Sequence, residues 1–392
     1  MNREQVFPIG ASITVEELTA SPYEPLARLR SAEPVSWLPA LGAWFVTRRD
    51  LSIEAMKDAE RFTVDDERFT TAQVLGTSML SLDGPEHKRH RSAFAAPFRP
   101  KYVRDELEAL IQGHANQLLA ATLDDDGELR TGAAGPLAVR TILDVLGLDI
   151  DPADVLRWYG AFGSAITALT VGDDVPDEVH STLSQLYAYV GDAMGSDDAG
   201  LVSGLVDEGV LTAKEIPAAV AVVMFGAIET SEAMTANAFW HLLNHPDQLD
   251  RLRADRSLVA IAIDESLRLE PAASWIDRYT TTNVELGGVA IPAGELVTIN
   301  LLAANRDPDV FDQPDEFRID RPNLAQHVTF VQGPHACLGL HVARAETHAA
   351  ITAFLDAEEE RGTRFELDAQ RSSAPTGLIF RRPPAVVASS RA

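Results

Sequence analysis

Apolar residues recur at helical spacing over long stretches of this chain and alternate over only a few short ones. Residues 101–195 read as mostly helical, with apolar faces over 107–119 and 137–148. The stretch 158–171 is rich in Ala, Gly and aromatic residues and breaks at Gly172-Asp-Asp-Val-Pro176, which predicts two helices joined by a loop. Thr212-Ala-Lys-Glu215 has the form of a capping box and heads the most apolar segment, which runs toward Pro246. A helix of ~30 residues there would be ~45 Å long, enough to cross a domain. Residues 261–269 repeat the helical pattern up to Pro271. Shorter helices are expected near 23–31 and 51–59, whereas 65–80 has no sustained period and reads as a long surface loop of the kind that lines sites.

The strand signals are few. Residues 35–37 and 43–47 predict a hairpin around Leu41-Gly42, and a strand begins at Trp275. Residues 289–294 are expected to turn between strands at 284–286 and 296–301, and 364–367 to pair with 376–381 as a terminal hairpin.

Composition narrows the setting. A chain of 392 residues with 46% hydrophobic positions can bury a sizeable core. One cysteine excludes a disulfide framework and suits a reducing compartment. The N-terminal residues have no apolar run behind them, and the apolar tract at 216–228 is shorter than the ~20 residues of a membrane span. The expectation is a soluble cytoplasmic protein that engages no membrane. A net charge of −26 argues against nucleic acid as a partner.

The single cysteine carries the chemistry. It lies in Phe330-Val-Gln-Gly333-Pro-His335-Ala-Cys337-Leu-Gly339, and a helical pattern starts just beyond Gly339. Gly333-Pro334 and Gly339 favour tight turns and close approach of backbone to a flat partner. A cysteine just before a helix N-terminus is poised as a thiolate. With no second cysteine there is no zinc or iron–sulfur spacing, which leaves the axial ligand of a haem iron. The bland alternative is a small buried hydrophobe.

This stretch resembles the haem-binding loop of the cytochrome P-450 family, and other parts of that family follow in order. Asp83-Gly-Pro85-Glu-His87-Lys-Arg-His-Arg91 places His87 and Arg91 one helical turn apart. Gly226-Ala227-Ile-Glu229-Thr230 resembles the acid–alcohol segment of the oxygen-binding helix, with Ala227 at the usual second glycine. Its bland reading is that Thr230 bonds back to a carbonyl one turn earlier and Glu229 finds an arginine. Glu265 and Arg268, with Arg321 further on, match a structural ion-pair set, and Asn305-Arg-Asp-Pro308 matches the segment preceding the cysteine loop.

The resemblance, spanning about residues 15–385, implies a mainly α fold with a smaller β region: one domain over 1–392, its strands near 30–65 and 275–302. The haem would lie between the long central helix and the cysteine-loop helix. It further implies haem b with Cys337 on the iron, and His87, Arg91, Arg278 and His335 around the propionates, with Gly339 in the binding loop. Glu229 and Thr230 would supply protons for insertion of one oxygen atom into an apolar small molecule. Electrons would come from NAD(P)H through a ferredoxin or flavodoxin and its reductase, to a monomer of the bacterial type. Val74, Leu75, Met79, Phe162, Ile166, Val222, Ala273, Trp275 and Leu378 would line the pocket. Lys88, Arg89, Arg99, Lys101 and Arg104 would form a basic docking patch. The other classes are a peroxide-driven relative, which would replace the acid–alcohol pair, and a non-catalytic haem-thiolate sensor, which would need no proton relay.

Overall fold

The apolar segment after Thr212 forms one helix, Ile216–Asn244, and most of the other helices pack around it. The structure is a computed structural model that describes residues 2–195 and 200–390. In chain order the elements used below are α1 (Tyr23–Ala32), β1 (Val35–Leu38), β2 (Ala43–Val46), α2 (Arg49–Lys57), β3 (Phe62–Thr63), α3 (Thr70–Leu75) and α4 (Gly84–Phe94). They continue with α5 (Glu108–Asp124), α6 (Gly135–Leu146), α7 (Pro152–Thr170), α8 (Asp177–Met194), α9 (Ile216–Asn244) and α10 (Val259–Leu269). Four strands follow: β4 (Trp275–Thr280), β5 (Val284–Leu286), β6 (Val289–Ile291) and β7 (Leu296–Asn300). The chain closes with α11 (Leu340–Arg361), β8 (Phe365–Leu367) and β9 (Ala388–Ser390).

Helix α9 is 29 residues long and buried on nearly every face, packed by α6, α8, α10 and α11. A helix that is apolar all round is a core helix. Among the described residues it alone is long and apolar enough to cross a membrane, yet most of it is buried within the protein. The backbone amide and hydroxyl of Thr212 both donate to the Glu215 carboxylate (2.7 and 2.8 Å), one turn before the helix proper. Pro217 falls in its first turn, where the missing N–H would have had no helical partner.

The sheet is ordered β1-β2-β7-β4-β3, so the early hairpin, the short β3, and β4 and β7 form one layer, while β5 and β6 pair apart from it. β2 runs parallel to β7, and the remaining pairs are antiparallel. Three expectations fail here. Val289–Ile291 does not turn but pairs back on Val284–Leu286 through Gly287 and Gly288, both at positive φ. The segment 376–381 does not pair with β8; β8 pairs with β9, and 376–381 loops beneath the cavity described below. Within 65–80 lies α3, whose six residues are too few to display a period.

Glu265 and Arg268 are fully buried on α10 and joined by two hydrogen bonds of 2.7 and 2.9 Å. Arg321 and the Arg318 amide also donate to Glu265, each at 2.8 Å, so its charge is fully answered. Arg268 in turn donates to the carbonyls of Asn305, Pro314 and Glu316. Asn305 then fixes the next segment, accepting from Val328 N at 2.7 Å and donating to the Thr329 hydroxyl at 2.8 Å. This chain of bonds ends at Phe330, where the cysteine loop begins.

Candidate active site

The loop 330–339 is closed by backbone bonds from Cys337 N to Phe330 O (2.9 Å) and from Ala336 N to Gly333 O (3.1 Å). Closing it forces Val331 to φ +62, a costly conformation for a β-branched residue, and Gly333 to φ +82. A Cβ at Gly333 would lie 2.6 Å from the Met56 carbonyl, so only glycine fits. The Cys337 thiol faces a cavity of about 330 Å³ bounded by α9 and this loop. Burial pushes its pKa up, while the amides of Gly339 and Leu340 at the head of α11, with Arg91 and Arg344, pull it down. Arg344 lies 4.7 Å over the Phe330 ring and is held by Asp264 at 2.8 Å.

All the residues expected at the haem open on this cavity: His87, Arg91, Arg278, His335, Cys337 and Gly339. Pro85 lies in the first turn of α4, and the helical turn puts His87 and Arg91 on its inner face. Arg91 donates to the Ala336 carbonyl at 2.7 Å, tying α4 to the loop. The His87 ring lies 4.3 Å from that of His335, whose Nε2 is 2.7 Å from Asp83 Oδ1. Burial would raise the pKa of Asp83, but bonds from His335, the Thr63 hydroxyl and the Val64 amide hold it far below the usual carboxylate range. Burial drives His87 down to about 4, helped by the charges of His335 and Arg91. Arg278 is buried and lowered to about 10 by that burial; among the described residues its guanidinium bonds only to the Asp277 carbonyl, at 2.7 Å.

Two features of the cavity bear on a flat anionic cofactor. The buried Nε2 of His87 has no hydrogen-bond partner among the described residues. Gly226, midway along the buried α9, and Gly339 both line the cavity, and a Cβ on either would meet nothing within 4 Å. A thiol, two imidazoles and two guanidiniums around a largely apolar space therefore fit haem with its two carboxylates.

Comparisons with known proteins decide the family. A model of the cytochrome P-450 family matches residues 201–371. The cytochrome P-450 monooxygenase PikC of Streptomyces venezuelae is 32% identical, over 87% of this chain and 85% of its own. This chain belongs to the cytochrome P-450 family. The vitamin D(3) 25-hydroxylase of Pseudonocardia autotrophica is also 32% identical, over 84% of this chain and 85% of its own. The crystal structure of CalO2 superposes with a TM-score of 0.83 at 28% identity, covering 95% of this chain and 96% of that one. The protein is a bacterial cytochrome P-450 monooxygenase with the P-450 fold, and haem is its cofactor.

The acid–alcohol pair of this P-450 is split between two cavities. Thr230 lines the one just described, and its hydroxyl donates to the Gly226 carbonyl at 2.5 Å. Glu229 does not reach it. Its carboxylate accepts from Arg382 Nη1 and opens on a second cavity of about 290 Å³ on the other flank of α9. Both bland expectations therefore hold as geometry. Burial raises the pKa of Glu229, and Arg382 opposes that rise.

Of the expected lining residues, Met79, Ile166, Val222, Ala273 and Trp275 face the first cavity. Val74, Leu75, Phe162 and Leu378 pack in the core instead. The cavity meets the start of α3 through Thr70 and Thr71, not its far end. A bridge between Ala273 and Phe380 turns Ile379 and Phe380 toward the cavity in place of Leu378. The basic patch loses Arg89, whose guanidinium is taken up by Glu86 and Glu215. Lys101 and Arg104 share Asp105. The sequence reading also missed three residues: Asp83 as the anchor of His335, Arg382 as the partner of Glu229, and Glu346 as an acid in the core.

Proposed function

We propose that Cys337 supplies the thiolate ligand of haem b, and that His87, Arg91, Arg278 and His335 receive its propionates, with Gly339 giving the ring room. The observation that carries this reading is that Cys337, the four cationic or imidazole side chains and Thr230 all open on one apolar cavity. When bound, haem supplies the chemistry of O₂ activation, by which one oxygen atom enters a substrate bond.

The chain's own residues bind and orient. Met79, Ile166, Val222 and Trp275 offer an apolar guest a dry surface, and the guest displaces water from it. Thr230 spends its own proton on the Gly226 carbonyl, which leaves its oxygen lone pairs facing the cavity. An acceptor fixed there holds one water at a defined place and thereby directs protons. Glu229, buried on the other flank and facing the second cavity, is the acid that replenishes that water through intervening water and not by direct contact. Electrons come from NAD(P)H through an acidic ferredoxin or flavodoxin, drawn to Lys88, Arg99, Lys101 and Arg104, all of them exposed.

Thr230→Ala tests the assignment. Haem content and the substrate-induced spin shift should be retained and NADPH consumption should continue, while product per NADPH falls several-fold and peroxide rises. Wild-type coupling in the alanine variant would remove Thr230 from the reaction.

A further inference from the structure

Among the described residues, Asp277 on β4 is the one acid that lines the inner cavity. Both faces of β4 reach that cavity, and neighbouring residues of a strand point to opposite faces. Ile276 and Arg278 therefore share one face, Trp275 and Asp277 the other. Arg278 donates to the backbone carbonyl of Asp277 at 2.7 Å and not to its side chain. Asp277 stands opposite Thr298 of β7, whose hydroxyl donates to Oδ1 at 2.7 Å. Oδ2 makes no hydrogen bond, and no cation pairs with the carboxylate, among the described residues. The residue is only partly buried, yet protein surrounds it, because its open surface gives on the cavity and not on bulk water.

Trp275 and Tyr279 flank Asp277 on the same face, each about 7 Å away along the strand. Tyr279 already holds a cation, the Arg68 guanidinium, which lies 4.5 Å over its ring. That arginine is itself committed to Asp66 at 2.7 Å and to the Gly294 carbonyl at 2.9 Å. Trp275 packs against Phe45 with ring centres 5.7 Å apart and also opens on the cavity. An indole and an unanswered carboxylate oxygen on one strand face are the groups that receive an organic cation. Burial raises the pKa of Asp277, while the Thr298 hydroxyl and the Arg278 charge oppose the rise. An ionised carboxylate so placed is costly until a cation meets it.

We propose that Asp277 is a specificity residue that receives a protonated amine at one end of an otherwise apolar substrate, with Trp275 beside it. The inference rests on the reading of this cavity as the haem and substrate site. The cations and imidazoles there are taken up by the two carboxylates of haem, which leaves Asp277 as the charge offered to the guest. Fixing the nitrogen end decides which part of the apolar body is presented for oxidation.

The net charge of −26 draws any cation to the surface, so arrival in the cavity is read from the shift of the Soret band. The probes are decyltrimethylammonium, which has no lone pair to place on iron, and decanol, of the same chain length. Haem-loaded wild type should bind the cation about tenfold more tightly than the alcohol, the low end for a close charge pair. In Asp277→Asn the two should bind within about twofold of each other with the alcohol unchanged, and Asp277→Glu should keep part of the preference. A merely structural aspartate would weaken both probes alike. An equal preference in wild type and Asp277→Asn overturns the proposal, as does a wild type that favours the alcohol or answers neither probe. Loss of haem from Asp277→Asn, with the preference kept in what remains loaded, would overturn it too by placing Asp277 at the cofactor. Failure of the haem reading shows separately, as a wild-type protein without the thiolate-type Soret band.

Discussion

The two flanks of α9 are built from opposite materials. The inner flank is largely apolar; beside a few hydroxyls and Asp277, its polar groups are the cations and imidazoles that share the cavity with Cys337. On the outer flank, acids and guanidiniums answer one another in alternation: Glu229 with Arg382, Glu232 with Arg130. A partly unanswered set of cations in a dry space invites an anionic guest, whereas a self-compensated set beside solvent invites water. The contrast separates a largely apolar flank from a charged one beside solvent, with one helix as the partition.

The strongest way to break the contrast is to fill the inner flank. Gly226→Phe should leave the fold standing, since a Cβ there meets no atom within 4 Å, but it should lower haem per protein at least about tenfold by occupying the ring's space. Full loading, read from the Soret-to-protein absorbance ratio, would show that the cavity is not the haem site.

A smaller effect concerns a third face of α9, toward α11. Glu346 is fully buried there, and neither of its oxygens makes a well-formed hydrogen bond among the described residues. Burial pushes its pKa up to about 8, against a partial pull from the Ser231 and Thr141 hydroxyls. Its folded pKa exceeds its unfolded one, so the folded state binds the extra proton. That stability is present below the unfolded value of 4.5 and is lost as pH rises toward 8. Wild-type stability should therefore fall by up to about 1.4 kcal/mol per pH unit across that window, and Glu346→Gln should flatten the slope. Parallel slopes from denaturant titrations at several pH values would show that Glu346 is not neutral in the fold. Unlike Glu265, whose charge two arginines and an amide meet, Glu346 can be tolerated only as an acid.

What the sequence made legible follows the same division. The inner flank depends on local geometry: a turn around Cys337, a helical step from His87 to Arg91, a glycine facing a gap. Such features are written in neighbouring residues, and each fell where it was expected. The outer flank depends on Arg382 meeting Glu229 across 153 residues, with no local pattern to announce it. Strand partners failed for the same reason: β8 finds β9, not the nearer 376–381, because pairing is settled by tertiary packing. Val331 at φ +62 runs against its own preference, and closure of the loop by the Cys337–Phe330 bond overrides it.

The account stands most directly on Cys337 as the iron's ligand. The reduced carbonyl complex of the wild-type protein should show the strongly red-shifted Soret band of a thiolate-bound haem. Cys337→Ser should lose that band, whether or not haem is retained. The red-shifted band surviving unchanged in the serine variant would contradict the assignment of the inner flank.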